Sequence, residues 1–122
     1  MKLTNQKIYE YAMALANAFT DNTQKLPVKV NFYLQKNKTT LTALAQDIEN
    51  ARMDVISHYG EPTEDGTQYL IPKDKLATAQ QELTDLFALE QEVNIYTINI
   101  DSLSDDITLT TGQMEAIMFM ID

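Results

Sequence analysis

Acid–base chemistry needs a group that titrates near neutral pH and a partner that orients it. In this sequence only Asp54 and His58 offer such a pair. They are four residues apart, so on a helix they share a face, and the carboxylate can orient the imidazole as a general base. No nucleophile accompanies them. There is no Gly-x-Ser-x-Gly elbow and no cysteine. The pair is better explained as a helical surface pair or a seam histidine near a helix C-terminus, where positive charge is favoured. Two carboxylate groups, Glu61/Glu64/Asp65 and Asp101/Asp105/Asp106, have the oxygen chemistry of a hard-cation site. Neither follows the alternating acids, central glycine and closing glutamate of a calcium loop, so both read as solvated acidic loops. Gly60, Gly66 and Gly112 stand alone, which leaves no phosphate-cradling loop. One histidine and no cysteine exclude thiolate, iron–sulfur and multi-histidine metal sites within the chain. No catalytic residue, no cofactor and no enzymatic activity are expected.

The remaining chemistry is that of contact. Three of the six methionines, Met114, Met118 and Met120, fall near the C-terminus. Their flexible thioethers suit exchangeable pockets as well as irregular cores. Helical spacing puts Met114, Ile117, Met118 and Ile121 on one face, with Phe119 and Met120 on the other. A helix apolar all round is buried or docks onto something. Beside it lie Asp101, Asp105 and Asp106, and a charged rim next to an apolar patch resembles a protein interface. Asp101, Asp105, Asp106, Met114, Ile117, Met118 and Ile121 are therefore the candidate partner-binding residues. The same residues fit a helix that closes the chain's own core beside a solvated loop.

The elements that must position these residues follow from periodicity. Ile8, Tyr11, Ala12, Leu15, Ala18 and Phe19 predict an amphipathic helix over about Asn5–Thr20. Thr4 is its N-cap, and Leu3 with Ile8 is its hydrophobic staple. A second helix is predicted over Val28–Tyr59, with Pro27 in its first turn. Leu34, Leu41, Ile48 and Val55 recur every seven residues, and Asn37, Leu44, Ala51 and His58 occupy the companion positions. The run Asn37–Thr40 is its weak point, because those residues are poor helix formers. Gly60 is placed as a left-handed C-cap, with Pro62 preventing continuation. Thr67–Ile71 is a short strand candidate. Asp74 is placed as the cap of a third helix over about Lys75–Gln91, antiparallel to the end of the second. Leu34, Leu41, Leu44, Ile48 and Val55 are expected to face Leu76, Leu83, Leu86 and Phe87. Val93–Ile100 is rich in β-branched and aromatic residues and reads as a strand paired with Thr67–Ile71. Thr110 and Gln113 have capping-box spacing before a last helix over about Thr111–Ile121. The expected fold is α+β and helix-dominated, with a long helix packed antiparallel on a second, a small antiparallel β element and a short C-terminal helix. At 122 residues it is expected to be one domain over 1–122.

The net charge of −9 is unevenly placed. Residues 1–38 carry six lysines and two acids, whereas residues 39–122 carry three bases and sixteen acids. The acidic part repels phosphate, so no direct nucleic-acid binding is expected. It attracts basic surfaces instead. The lysines read as a solvated face, or as one side of an oligomer whose other side is acidic. A lone long helix and a two-stranded sheet also leave apolar surface and strand edge to cover, and a homo-oligomer is expected. The opening MKLTNQK has no apolar run of signal-peptide length, and no stretch approaches the roughly 18 apolar residues of a membrane span. A cytoplasmic, membrane-free protein is expected.

The opening MKLTNQKIYEYAMALANAF, the stretch LPVKVNFYLQKN, the run IENARMDVISHYGE and the ending EVNIYTINIDSL…LTTGQMEAIMFMID resemble, in style and order, short uncharacterised proteins of phages and prophages of Gram-positive bacteria. The resemblance implies an origin, in an infected bacterial cytoplasm or a virion, and carries no activity or binding residue with it. Two classes of function are expected on these grounds. One is a non-enzymatic protein that binds protein, as an assembly or structural accessory whose partner is itself, a phage protein or a host protein. The other is an acidic inhibitor of a host nucleic-acid-binding or defence protein.

Overall fold

The computed structural model describes residues 1–20, 26–103 and 109–122. The chain opens with a short strand, β1 (Lys2–Thr4), and passes directly into helix α1 (Asn5–Ala18). Thr4 caps α1 as its spacing predicts, its hydroxyl accepting from the Lys7 amide at 3.1 Å. Helix α2 (Val28–Tyr59) follows and is unbroken through Asn37–Thr40. A tight hairpin, β2 (Glu61–Pro62) and β3 (Tyr69–Leu70), returns the chain into helix α3 (Lys73–Ala88). Strand β4 (Glu90–Glu92) pairs antiparallel with β1, Leu3 opposite Gln91. The C-terminal part is a 3-10 turn at Ile100–Ser102, helix α4 (Thr111–Ile117) and a second 3-10 turn at Met118–Met120. This is the helix-dominated α+β architecture with a short C-terminal helix that the pattern predicts.

The core lies where α1, the first half of α2 and the C-terminal segment meet. Ile8, Ala12, Leu15 and Phe19 of the N-terminal segment bury against Val30, Leu34, Leu41 and Ile48 of α2, with Leu3, Val93, Ile98, Ala116, Ile117 and Met120 completing the cluster. Phe19 shares an apolar pocket with Val30 and Leu34, while Tyr9 and Met13 lie beside Gln46 and Glu49, so α1 runs antiparallel to α2. The heptad seam of α2 is thus buried only as far as Ile48. Val55 is half-buried and His58 exposed. Leu34 and Leu41 face α1 and the C-terminal segment rather than α3, and Leu76 is exposed, which corrects the expected pairing of the whole seam with α3. The helix α3 packs on α2 and, at its end, on the start of α1, with Leu83, Leu86 and Phe87 half-buried. Ile48→Ala should therefore cost about 2–5 kcal/mol through lost burial and a cavity. Leu83→Ala should cost under about 1.5 kcal/mol, because its site can relax toward solvent. Equal losses at both positions in urea melts would show that α3 is core.

Three local expectations are corrected. Gly60 is extended (φ −96°, ψ 164°), not left-handed. It must be glycine because a Cβ there would stand 2.7 Å from the Ile56 carbonyl oxygen and 3.1 Å from the Tyr69 Cβ. The left-handed glycine is Gly66 (φ +72°), at the tip of the hairpin. The third helix starts at Lys73 with Pro72 in the N-cap position and no side-chain cap, so Asp74 lies in its first turn. There its charge still suits the helix dipole. Last, Val93–Ile100 does not pair with Thr67–Ile71, which forms the hairpin with Glu61–Pro62 instead. The segment satisfies its backbone piecemeal. The Val93 amide donates to the Met1 carbonyl at 2.7 Å, the Ile98 amide to the Met120 carbonyl at 2.8 Å, and the Asp122 amide to the Ile98 carbonyl at 2.8 Å. Between these, Tyr96 is held by a side chain. Much of the strand edge expected to need a second chain is therefore already used.

Two buried asparagines do this holding. Asn37 is fully buried in the seam of α2. Its Nδ2 donates to the Tyr96 carbonyl at 2.9 Å, and its Oδ1 accepts from the Tyr96 amide at 2.9 Å. The side-chain amide thus takes the place of a neighbouring strand. Asn5, also buried, donates from Nδ2 to the Leu86 carbonyl at 2.8 Å and accepts from Gln91 at 2.7 Å. It ties the start of α1 to the end of α3, where Tyr9 meets Phe87 edge to face at 5.9 Å. No buried side-chain polar atom among the described residues lacks a partner.

Candidate functional site

The residues singled out for acid–base chemistry do not assemble. Asp54 and His58 are both exposed, and His58 packs edge-on against Tyr59 at 4.7 Å. No hydrogen bond joins the two among the described residues. Glu61, Glu64 and Asp65 are exposed on the hairpin. The Asp65 carboxylate is committed to the turn: it accepts from the Thr63 hydroxyl and from the Thr67 amide. Those bonds, the Thr63 hydroxyl first, hold its carboxyl below the usual carboxylate range. Among the described residues, no group of three or more His, Cys, Asp or Glu side chains could hold a metal ion.

The candidate partner-binding residues separate into three sets. Asp101 is exposed on the 3-10 turn, while Asp105 and Asp106 lie outside the described residues. Ile117 is 3% exposed and belongs to the core. Met114 and Ile121 are half-buried, and Met118 is 59% exposed. The expected single face, Met114, Ile117, Met118 and Ile121, is overturned: Ile117 and Met120 are buried and Met118 is exposed. After Ile117 the chain tightens into a 3-10 turn, which advances each residue about 120° rather than 100°. Met120, three residues after Ile117, lies fully in the core, and Met118, about a third of a turn round from Ile117, lies out of it. Phe119 stacks on Tyr11 at 4.5 Å. The predicted capping box is present at the other end: the Thr110 hydroxyl accepts from the Gln113 amide, and the Gln113 side chain accepts from the Thr110 amide. Gln113 also donates to the Ala18 carbonyl at 3.0 Å, satisfying the C-terminus of α1. An open groove of about 740 Å³ lies between α1 and α4, bordered by Glu10, Tyr11 and Glu115. The Gln113 side chain in its wall is already spent on those bonds.

Two surface features stand out that periodicity alone did not reveal. The first is an aromatic and basic face on the first half of α2. Tyr33 stacks on Tyr96 at 5.1 Å and leans on Phe32 at 6.1 Å. The Lys29 ammonium lies 5.6 Å from the Tyr33 ring centre, and that of Lys36 lies 5.4 Å from the Phe32 ring centre. Phe32 is 53% exposed. The sequence holds no acid from Asn22 to Gln46, and among the described residues Lys29, Lys36 and Lys38 have no carboxylate partner. The signal was the i, i+3, i+7 spacing of Lys29, Phe32 and Lys36.

The second feature is the arm formed by the end of α2, the hairpin and α3. From Glu49 to Ala88, Ala79 alone is buried. Several large apolar side chains along it are exposed: Met53, Tyr69, Leu70 and Leu76, Leu70 to 68%. The arm is acidic as well: residues 47–85 carry nine carboxylates against Arg52, Lys73 and Lys75. Arg52 is spent on Glu49, which it grips through two nitrogens at 2.6 and 2.9 Å. That contact holds the Glu49 carboxyl below the ordinary carboxylate range.

No helix among the described residues is long and apolar enough to cross a membrane. In comparisons with protein-family models, curated proteins and solved structures, the chain matches none.

Proposed function

We propose that this chain is a non-enzymatic protein that acts by binding protein, as an assembly or structural accessory of a phage or prophage. The observation that carries the reading is the arm. A hairpin of two helices whose only buried residue from Glu49 to Ala88 is an alanine gains little stability from its own packing, yet it projects Tyr69, Leu70 and Leu76 outward. Exposed apolar groups on a charged arm are what an interface core with a polar rim requires. The exposed Met118 and Asp101 offer a second contact at the C-terminal turn. Origin and compartment, a bacterial cytoplasm or a virion, rest on the resemblance to short phage proteins. The test is affinity capture from infected cells with the parent chain and with Leu70→Asp plus Leu76→Asp, read by mass spectrometry. A partner that the parent retains should be depleted at least tenfold by the double variant, while the circular dichroism spectrum is unchanged. Equal capture by both chains would remove the arm from the interface.

The acidity of the arm supports a second reading, an inhibitor that occupies a basic site on a host nucleic-acid-binding or defence protein. The two readings differ in salt dependence. Capture through apolar contacts persists at ~500 mM salt, whereas capture through the carboxylates collapses there.

A further inference from the structure

The outward face of α2 carries a charge pattern that is its own complement. Lys29, Phe32, Lys36, Thr39, Ala43, Asp47, Asn50 and Asp54 are all exposed. Lys29 and Asp47 are eighteen residues apart, and so are Lys36 and Asp54. Eighteen residues are five turns of a helix, so these four charges stand in one straight stripe. The stripe lies away from the buried seam of Leu34, Asn37, Leu41 and Ile48, and its centre carries small side chains, Thr39 and Ala43. Its first half is positive and its second half negative. Among the described residues none of the four charges is ion-paired.

We propose that two copies of this chain pair along α2, antiparallel and related by a two-fold axis. The positions fix the register. Lys29 and Asp54 are equidistant from the peptide bond between Leu41 and Thr42, and so are Lys36 and Asp47. A two-fold axis beside that bond sets Lys29 of each copy against Asp54 of the other, and Lys36 against Asp47, giving four ion pairs from two distinct ones. An isologous contact requires this self-complementarity, in which residue i meets j and j meets i. Phe32 of each copy then meets the turn at Asn50 and Ala51 of the other. Thr39, Thr40 and Ala43 cross at the axis, where small side chains let helices approach to about 8–10 Å.

The pairing cannot form within one chain. The two halves of the stripe lie on one unbroken helix, with Lys36 and Asp54 about 27 Å apart along its axis. A parallel dimer is excluded because it would set lysine on lysine and carboxylate on carboxylate. A nucleic-acid strand laid along the stripe would meet the repulsion of Asp47 and Asp54. Each exposed pair is weak alone, so the contact is salt-sensitive, and Phe32 supplies its buried area.

The inference deepens the reading of the chain as a protein that binds protein, by naming a second copy as one partner. It uses a different surface from Leu70 and Leu76 of the arm, so the variants that test the two readings are independent. The experiment is sedimentation equilibrium on five chains at ~50 and ~500 mM salt. The parent should approach twice its 13.9 kDa mass at low salt and move toward 13.9 kDa at high salt. Lys29→Glu with Lys36→Glu should weaken self-association at least tenfold, and so should Asp47→Lys with Asp54→Lys. Mixed together, these two variants should form a one-to-one heterodimer, because all four contacts between them are then attractive. All four substitutions in one chain should restore the homodimer, which separates lost charge pairing from lost folding. A parent that stays at 13.9 kDa at low salt overturns the proposal. So does a dimer that survives either reversal, or a mixture of reversed chains that does not associate. An intact dimer in the chain carrying Leu70→Asp and Leu76→Asp, together with lost capture, leaves both readings standing. A monomeric parent that still captures its partner through the arm overturns the dimer alone.

Discussion

Asn37→Asp should destabilise this protein by about 3–5 kcal/mol at neutral pH and by far less near pH 4. The side chain is fully buried and makes the paired bonds that hold Tyr96. A carboxylate in its place can still accept from the Tyr96 amide. Its other oxygen, however, faces the Tyr96 carbonyl, an acceptor, and a buried charge without a counter-ion is expensive. Protonation restores a donor toward that carbonyl. The sign follows from linkage. Burial raises the folded-state pKa of the introduced carboxyl above its unfolded value of about 3.9, so the folded chain binds the proton more tightly. The penalty is absent below the unfolded pKa, grows as pH rises through the interval between the two values, and is constant above the folded one. Asn37→Ala should instead cost about 3 kcal/mol at every pH, from the two lost bonds to Tyr96, a weaker one to the Met120 sulfur, and a cavity. Urea melts between pH 4 and pH 8 compare the two. Equal losses for Asn37→Asp at both ends, or a loss under about 1 kcal/mol for Asn37→Ala, would show that the amide does not hold the segment.

Asn37 also shows where the sequence stops being legible. By propensity the run Asn37–Thr40 is the place to break α2, yet the helix continues through it. The reason is tertiary: the same amide that weakens the helix locally replaces a strand partner for residues almost sixty positions away. Periodicity carries no trace of such a bond, although an asparagine at a seam position flags a buried polar group in need of a partner. For the same reason Val93–Ile100 looks like a strand and is not one. Its β-branched residues do fit an extended backbone, but its hydrogen bonds go to Asn37, Met1 and the C-terminal turn rather than to one ladder. The real ladder, β1 with β4, consists of Lys2–Thr4 and Glu90–Glu92, too short and too charged for any pattern to mark. By contrast, α2 begins and ends where its heptads and flanking prolines place it, and the Thr4 cap and the Thr110–Gln113 box are present as spelled. Those signals are local and need no knowledge of the fold. The candidate contact surface was half legible: charge segregation was visible in the sequence. Which residues of the C-terminal segment point outward was not, because the segment is apolar on every side and its pattern does not say which side meets α1.

The opposite burial of two neighbours in this segment makes a pair of adjacent substitutions behave oppositely. Ile117→Asp should unfold the protein or leave it with a small fraction of its stability. Ile117 is 3% exposed within the core cluster. Its replacement loses about 2–3 kcal/mol of burial and adds the cost of a charge with no partner. Together these exceed about 4 kcal/mol, against a total of roughly 5–15 kcal/mol for a domain of this size. Met118→Asp, one residue on, should cost under about 1 kcal/mol. Its side chain is 59% exposed, and the main penalty is a negative charge near a helix C-terminus. Thermal melts should therefore show a large fall in Tm for the first variant and a small one for the second. With folding preserved, Met118→Asp becomes a clean probe of contact. Loss of partner capture in that variant would assign the C-terminal turn to an interface, and undiminished capture would confine the interface to the arm and to α2. A Met118→Asp chain that unfolds as readily as Ile117→Asp would mean that Met118 is turned inward, and the assignment of core and surface in this segment would be reversed.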